Sequence, residues 1–204
     1  MSGVKTARIR LDADKTMTDN DLNNMAVSQI PKWFERKFEF AVPVEHYLIL
    51  CVRLRGTPAR LEEILLNGSR EMLIRKPANK WSAQEHSGHL LDFESLWMAR
   101  LDDFLTGQDT LTVADLSNRV THEAHHNGRK LSEILAGFRI ARLRLIDHVD
   151  KLPPDPFGNT LLHPRLKQTM RLVDHLYFVA EHDDHHLAES GRWLSVNTDG
   201  RRKR

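Results

Sequence analysis

The chain has 204 residues, of which 40% are hydrophobic and 28% are charged. This composition excludes a disordered polymer, a collagen-like fibre and a disulfide-rich scaffold, and the length suits one large domain or two very small ones. The single cysteine, Cys51, cannot form an internal disulfide, so we expect a reducing cytoplasmic location. The sequence has no apolar run of about 18 residues and no apolar core near its N-terminus, so it predicts neither a transmembrane helix nor a secretory signal.

The formal net charge of +2 is unevenly distributed. Residues 201–204 are all basic, so the remainder of the chain is slightly acidic. A slightly acidic body does not suit nucleic acid as the main partner. We interpret residues 197–204 as a solvated basic tail.

Residues 1–43 are predicted to form an N-terminal arm that is loosely ordered or packed on the rest of the chain. Residues 17–24 are polar and typical of turns. Residues 30–40, in contrast, carry aromatic side chains that can pack against a domain, namely Trp33, Phe34, Phe38 and Phe40.

Two long helices are predicted next. The first covers residues 45–66, and Thr57-Pro58 within it predicts either a kink or a fresh helix start. The second covers residues 83–105. Ser82 and Glu85 have the spacing of a capping box at its start, and Gly107 is expected to end it.

Two further helices are predicted over residues 129–151 and 169–194, and the proline-rich segment 153–156 ends the first of them. The connections at 107–128 and 152–168 are long and show no alternating strand pattern, so we expect no sheet. The pattern predicts an all-α protein in which residues 44–196 form a four-helix bundle with long crossover connections.

Histidine is unusually frequent, with twelve residues. His182 and His186 are four positions apart on the fourth predicted helix, so both imidazoles lie on one face and can bind one metal ion. His185 offers an alternative pairing with His182 at a spacing of three residues. His175 lies two turns before His182, about 10 Å along the helix, so it can line a cavity but cannot share the ion.

A catalytic metal site needs a further ligand from another helix. His89 is the best candidate because it lies in the middle of the apolar face of the second helix, whereas His86 is one turn nearer the helix end and is expected to reach solvent. Three imidazoles leave an open coordination position, as in catalytic zinc sites. A solvated helix face that includes Asp183 and Asp184 explains the fourth-helix cluster equally well, so spacing alone leaves both interpretations open.

The segment His122-Glu123-Ala124-His125-His126 matches the H-E-x-x-H pattern of zinc proteases. Its flanks lack the apolar residues that would bury such a helix, so we do not favour a protease. The segment also contains the one E-x-x-H in the chain, whereas a di-iron bundle needs two. Cys51 lies in an apolar run and is expected to be a buried core thiol.

Two segments, KWSAQEHSGHLLD at 80–92 and AEHDDHHLA at 180–188, combine a tryptophan, a histidine eight positions later and a distant H-x-x-H-H. With Thr57-Pro58 and His163-Pro164, they make the sequence resemble the DinB-like superfamily of bacterial metal-binding helical bundles, which includes the YfiT-type proteins. The resemblance covers roughly residues 45–195. It implies that a divalent ion, often nickel or zinc, is bound by His89, His182 and His186.

The resemblance leaves the reaction open, because the superfamily holds thiol-dependent transferases and isomerases, hydrolases and members without known activity. We expect a metal-dependent hydrolase or thiol transferase that acts on a small molecule, with water or a low-molecular-weight thiol at the open position. His185 and His175 are candidates to support the ligands. The alternatives are a non-catalytic metal-binding or stress-response module and a metal-free helical interaction protein. The superfamily includes homodimers, so a homodimer is also expected, whereas a membrane is not an expected partner.

Overall fold

The computed structural model describes residues 30–76 and 80–195, so the predictions for residues 1–29 and for the basic tail lie outside the described residues. The chain divides into two compact units, Met1–Pro31 and Lys32–Arg204. The described helices and strands belong to the second unit, and in chain order they are α1 (Tyr47–Leu65), α2 (Arg70–Ile74), α3 (Ala83–Thr106), α4 (Arg119–Glu123), α5 (Leu131–Val149), β1 (Thr160–His163), β2 (Gln168–Arg171) and α6 (Leu172–Ser195). Short 3-10 turns cover Trp33–Glu35, Val44–His46, His126–Gly128 and Asp155–Gly158.

The ends of helix α3 follow the local sequence signals. Ser82 Oγ accepts a hydrogen bond from the Glu85 amide at 3.1 Å, and Glu85 Oε2 accepts one from the Ser82 amide at 2.9 Å. Gly107 ends the helix in the left-handed conformation with φ of 69°, which glycine adopts without a steric penalty. Helix α1, in contrast, continues through Pro58, so Thr57-Pro58 does not start a new helix.

Four long helices, α1, α3, α5 and α6, pack into a bundle, as predicted, around an apolar core that consists of two clusters. Helix α1 contacts α5 and α6, and α3 contacts the same two helices. The largest fully buried apolar side chains of this core include Leu54, Leu61, Leu90, Trp97, Leu101, Phe104, Ile134 and Phe138. No helix within the described residues is long and apolar enough to cross a membrane.

The prediction that the chain has no sheet is wrong. Strands β1 and β2 form an antiparallel hairpin in which Thr160 pairs with Arg171 and His163 pairs with Gln168. The segment that follows α3 also contacts this hairpin, since the amide of Leu111 donates to the carbonyl of Leu162 at 3.1 Å. Each strand has four residues, too few for an alternating pattern to stand out in the sequence.

A buried ionic network links the four long helices. Arg142 on α5 lies 2.6 Å from Glu94 Oε1 on α3 and also pairs with Asp183 on α6, and all three side chains are buried. On α1, Thr57 Oγ1 donates to Asp183 at 2.9 Å, and the carbonyl of Leu54 accepts from Arg142 at 3.3 Å. Burial raises the pKa of Glu94 to about 7, and Arg142 opposes that rise. The solvated-face interpretation is therefore wrong for Asp183.

The segment before the bundle packs against α6. Trp33 lies with its ring centre 5.1 Å from the ring of Phe178 and 5.2 Å from that of His182. Arg36 forms an ion pair with Glu181, and the ring of Phe38 also contacts Phe178. These contacts place aromatic side chains from residues 32–40 beside the fourth-helix histidines.

Candidate metal centre

Three imidazoles from two helices converge in the bundle. His89 on α3 and both His182 and His186 on α6 each offer one ring nitrogen, and these nitrogens all lie within 4.8 Å of one another. His89 Nε2 lies 3.3 Å from His182 Nε2. The three residues are buried, with 3 to 6% of their surface exposed. This is the group that the sequence singled out as candidate metal ligands.

The cluster is neutral at physiological pH. Burial lowers the pKa of His89 to about 3 and holds the pKa of His182 and His186 well below the usual value. A neutral imidazole keeps a free lone pair on one nitrogen, which is the form that binds a metal.

A hydrogen-bonded chain fixes the orientation of His89. Its Nδ1 lies 3.1 Å from Thr121 Oγ1, and that hydroxyl donates to Asp92 Oδ2 at 2.8 Å. The hydroxyl oxygen therefore accepts the Nδ1 proton of His89, which leaves Nε2 unprotonated and directed toward His182. Carboxylates placed behind a ligating histidine in this way raise its basicity and hold its ring in position.

Asp92 is held in turn by His126, whose Nε2 lies 2.9 Å from the same Oδ2. The His126 ring is fully buried and lies directly against Gly88 on α3. A side chain at residue 88 would collide with the ring, since a Cβ there would lie under 3.0 Å from three of its atoms. Glycine is therefore required for this close approach.

His86 does not reach solvent, contrary to the prediction. It is 7% exposed, and its Nδ1 lies 2.8 Å from His186 Nδ1, so one of these nitrogens donates and the other accepts. Burial lowers its pKa to about 3. His86 is thus part of the cluster, in contact with His186.

The two candidate supporting histidines differ in position. His185 lines the cavity described below, with its ring centre 5.2 Å from that of His186. His175 does not line that cavity. It is 1% exposed between the rings of Trp97 and Phe104, and neither ring nitrogen has a hydrogen-bond partner within the described residues.

The H-E-x-x-H segment does not form a ligand-bearing helix. Helix α4 ends at Glu123, and His125 adopts the left-handed conformation with φ of 48°. His126 therefore faces Asp92, and none of the segment belongs to the three-histidine group. Cys51 is buried as expected, and burial raises the pKa of its thiol to about 11.

A cavity of about 480 Å³ extends from the histidine cluster. His89, His182 and His186 line it together with His86 and His185. Its walls are largely aromatic and are formed by Trp33, Phe34, Trp81, Phe93, Trp97 and Phe178. Such a cavity can hold a small molecule against the three imidazoles.

Comparison with known proteins identifies the fold family. The sequence model of the DinB superfamily matches residues 53–190, which is more than half of the chain. The chain belongs to the DinB superfamily. The structure of YfiT from Bacillus subtilis, described as a probable metal-dependent hydrolase with an unusual four-helix bundle topology, superimposes with a TM-score of 0.69 at 19% identity. The match covers 79% of this chain and 93% of YfiT. A comparison with curated proteins gives no match.

This DinB superfamily chain also uses residues that the sequence did not single out. Asp92 lies within the segment that carries the resemblance, three residues after His89, and this spacing on one helix face is the signal that could have found it. No role for Thr121 or Glu189 was predicted from the sequence. Glu189 lines the cavity, one turn beyond His185 and His186, and its Oε2 is buried without a hydrogen-bond partner within the described residues.

Proposed function

We propose that the protein is a metal-dependent hydrolase in which His89, His182 and His186 hold a divalent transition metal, zinc or nickel. The observation that carries the proposal is the convergence of three buried, neutral imidazoles on the wall of a cavity that admits a small molecule. A purely structural metal site is closed by a fourth protein ligand, whereas three histidines facing a cavity leave a position open.

The donor set fits such a metal. Imidazole nitrogen suits zinc, nickel and copper, and the Asp92–Thr121–His89 chain is the kind of support that ligating histidines have in metalloenzymes. When bound, the metal supplies Lewis acidity that activates a water or a thiol near neutral pH. The description of YfiT as a probable metal-dependent hydrolase supports hydrolysis over thiol transfer.

The protein contributes positioning and proton transfer. The Asp92–Thr121 pair keeps the Nδ1 proton on His89, and the aromatic walls formed by Trp33, Trp81 and Phe93 limit water around the substrate. We assign proton acceptance to the Glu189 carboxylate, because the residue lines the same cavity. Asp115 also lines the cavity, but its Oδ1 accepts from the amide and the hydroxyl of Ser117.

Elemental analysis of untagged protein tests the metal site. Wild type should carry about one equivalent of a transition metal, and His186→Ala should carry none while its helix content stays unchanged. His148→Ala, at an exposed position on α5, is the matched control and should keep the metal. Absence of metal from wild type after reconstitution with zinc and with nickel would contradict the proposal.

Activity assays then separate the reactions. A panel of chromogenic esters and amides tests hydrolysis, and a small thiol with an electrophilic dinitrohalobenzene tests thiol transfer. Glu189→Gln should keep the metal and lose activity by 10²-fold or more, which is typical of a lost general base. Full hydrolytic activity in this variant would show that Glu189 is not the proton acceptor. Thiol transfer without hydrolysis by wild type would contradict the hydrolase proposal and favour a thiol transferase.

A further inference from the structure

The cavity has a second polar region, away from the histidine cluster. Arg100 on α3, His163 at the end of β1 and Arg165 in the hairpin turn all line it. Arg100 is 2% exposed, and its Nε donates to the carbonyl of Thr112 at 2.9 Å. Neither arginine forms a salt bridge with any carboxylate of residues 30–76 or 80–195, whereas the buried Arg142 pairs with two.

Several donors in this region lack an acceptor. His163 Nδ1 accepts from the amides of Arg165 and Leu166, both at 3.2 Å, so the neutral ring carries its proton on Nε2. That Nε2 lies 3.3 Å from Arg100 Nη1, which is also a donor. Arg165 Nη2 is buried and has no hydrogen-bond partner in the described part of the chain. An acceptor group bound in this region would offer these donors a partner.

The charges in this region also favour a bound anion. Burial lowers the pKa of Arg100 to about 10, the charge of Asp103 opposes that shift, and the charge of Arg165 adds to it. Burial, together with both arginine charges, lowers the pKa of His163 to about 3. A bound anion would offset the two positive charges that now lie close together in a largely apolar cavity.

We propose that Arg100, His163 and Arg165 bind an anionic group of the substrate, a carboxylate or a phosphate, while the reacting bond lies at the histidine cluster. This inference rests on the proposed function, because it names the substrate class for the same cavity. Planar guanidinium groups bind either anion through paired hydrogen bonds.

The cavity wall fits the body of such a substrate. The guanidinium of Arg100 lies 5.5 Å from the centre of the Trp97 ring, which in turn lies 5.3 Å from the centre of the His182 ring. One molecule lying along Trp97 can therefore reach both regions. The Arg165 guanidinium lies 5.3 Å from the Phe34 ring centre, which extends the aromatic surface. The substrate class is an anion with an apolar or aromatic body.

Calorimetric binding to the full chain tests the inference with three probes of similar size. These are 3-phenylpropionate, 2-phenylethyl phosphate and the neutral 3-phenylpropanamide, each measured with EDTA and with zinc. At least one anion should bind tenfold or more tightly than the amide in both conditions, and the tighter anion identifies the group. The EDTA measurement excludes binding of the anion through a metal.

Variants locate the site. Arg165→Gln should remove the tenfold preference and leave amide binding unchanged, and Arg100→Lys should reduce the preference because it keeps the charge but loses the paired donors. Arg139→Gln is the matched control, since it removes one charge outside the cavity, at a salt bridge with Glu62. Circular dichroism checks that each variant is folded.

Two results would overturn the inference: equal binding of the amide and both anions to wild type, or an undiminished preference in Arg165→Gln and Arg100→Lys. Neither result depends on metal loading or turnover. A failure of the anion site is therefore distinguishable from a failure of the proposed hydrolase function.

Discussion

Gly88→Ala provides a sharp test of how the histidine cluster is supported. In most helices this change is stabilising, because alanine has the higher helix propensity by about 1 kcal/mol. Here the added methyl would lie under 3.0 Å from three atoms of the His126 ring, whereas ordinary contact begins at 3.4 Å. The ring would have to move by about 1 Å, and buried rings in a close-packed core accommodate such a shift only with strain.

The free energy cost follows from the contacts that the ring makes. Overpacking costs about 1–3 kcal/mol, and loss of the 2.9 Å contact between His126 and Asp92 adds about 1.5 kcal/mol or more. After the gain in helix propensity is subtracted, we expect a net destabilisation of roughly 1.5–3.5 kcal/mol. For a protein of this size, that lowers the midpoint of thermal unfolding by about 3–14 °C. Displacement of Asp92 should also weaken metal binding by about 10–100-fold.

Differential scanning calorimetry and metal titration measure the two effects. Gly56→Ala on α1 is the matched control, because nothing lies within 4 Å of its added Cβ, and we expect it to raise the midpoint by about 2–4 °C. The double variant Gly88→Ala with His126→Ala removes the colliding ring. Alanine at residue 88 should therefore lower the free energy of unfolding far less in that background than in wild type.

An unfolding midpoint for Gly88→Ala that rises as much as that of Gly56→Ala would refute the close-approach argument. A lowered midpoint with unchanged metal affinity would instead show that His126 stabilises the fold but does not support His89 as a metal ligand.

Two further predictions concern buried charge. Arg142→Ala leaves Glu94 and Asp183 buried without their cation, so we expect a loss of about 3–5 kcal/mol in urea unfolding. An unchanged midpoint would show that the network does not stabilise the bundle. The folded state holds the pKa of His175 well below the usual 6.5 because the ring is buried, so its stabilising contribution is present above pH 6.5 and is lost as the pH falls. His175→Phe should therefore reduce the dependence of unfolding free energy on pH by up to about 1.4 kcal/mol per unit as the pH falls below 6.5. Parallel curves for variant and wild type would contradict neutral burial of this ring.

The predictable part of the site depends on local spacing. His182 and His186 share a face because they are four residues apart on one helix, and the capping box at Ser82 fixes where α3 begins and hence which face carries His89. The same periodicity predicted the four long helices and the bundle. Such features depend on residues close together in the chain.

The features that escaped prediction depend on contacts between distant segments. Asp183 has the sequence context of an exposed aspartate, and its burial is acceptable because Arg142 on α5 pairs with it and the hydroxyl of Thr57 on α1 donates to it. His86 is near the end of α3, but the contact with His186 buries it. The hairpin pairs residues 160–163 with residues 168–171, and four-residue strands carry too little periodicity to reveal it.

The position of Trp33 bears on the selectivity of the cavity. Trp33 lines the cavity and contacts His182, yet it precedes residues 53–190, the part of the chain that matches the superfamily. One wall of the cavity is thus built by a segment that lies outside the matched region and carries none of the three candidate ligands. A fragment that begins at residue 53 would retain all three imidazoles but would leave that side of the cavity open, so its reactivity would be a poor guide to the selectivity of the full chain.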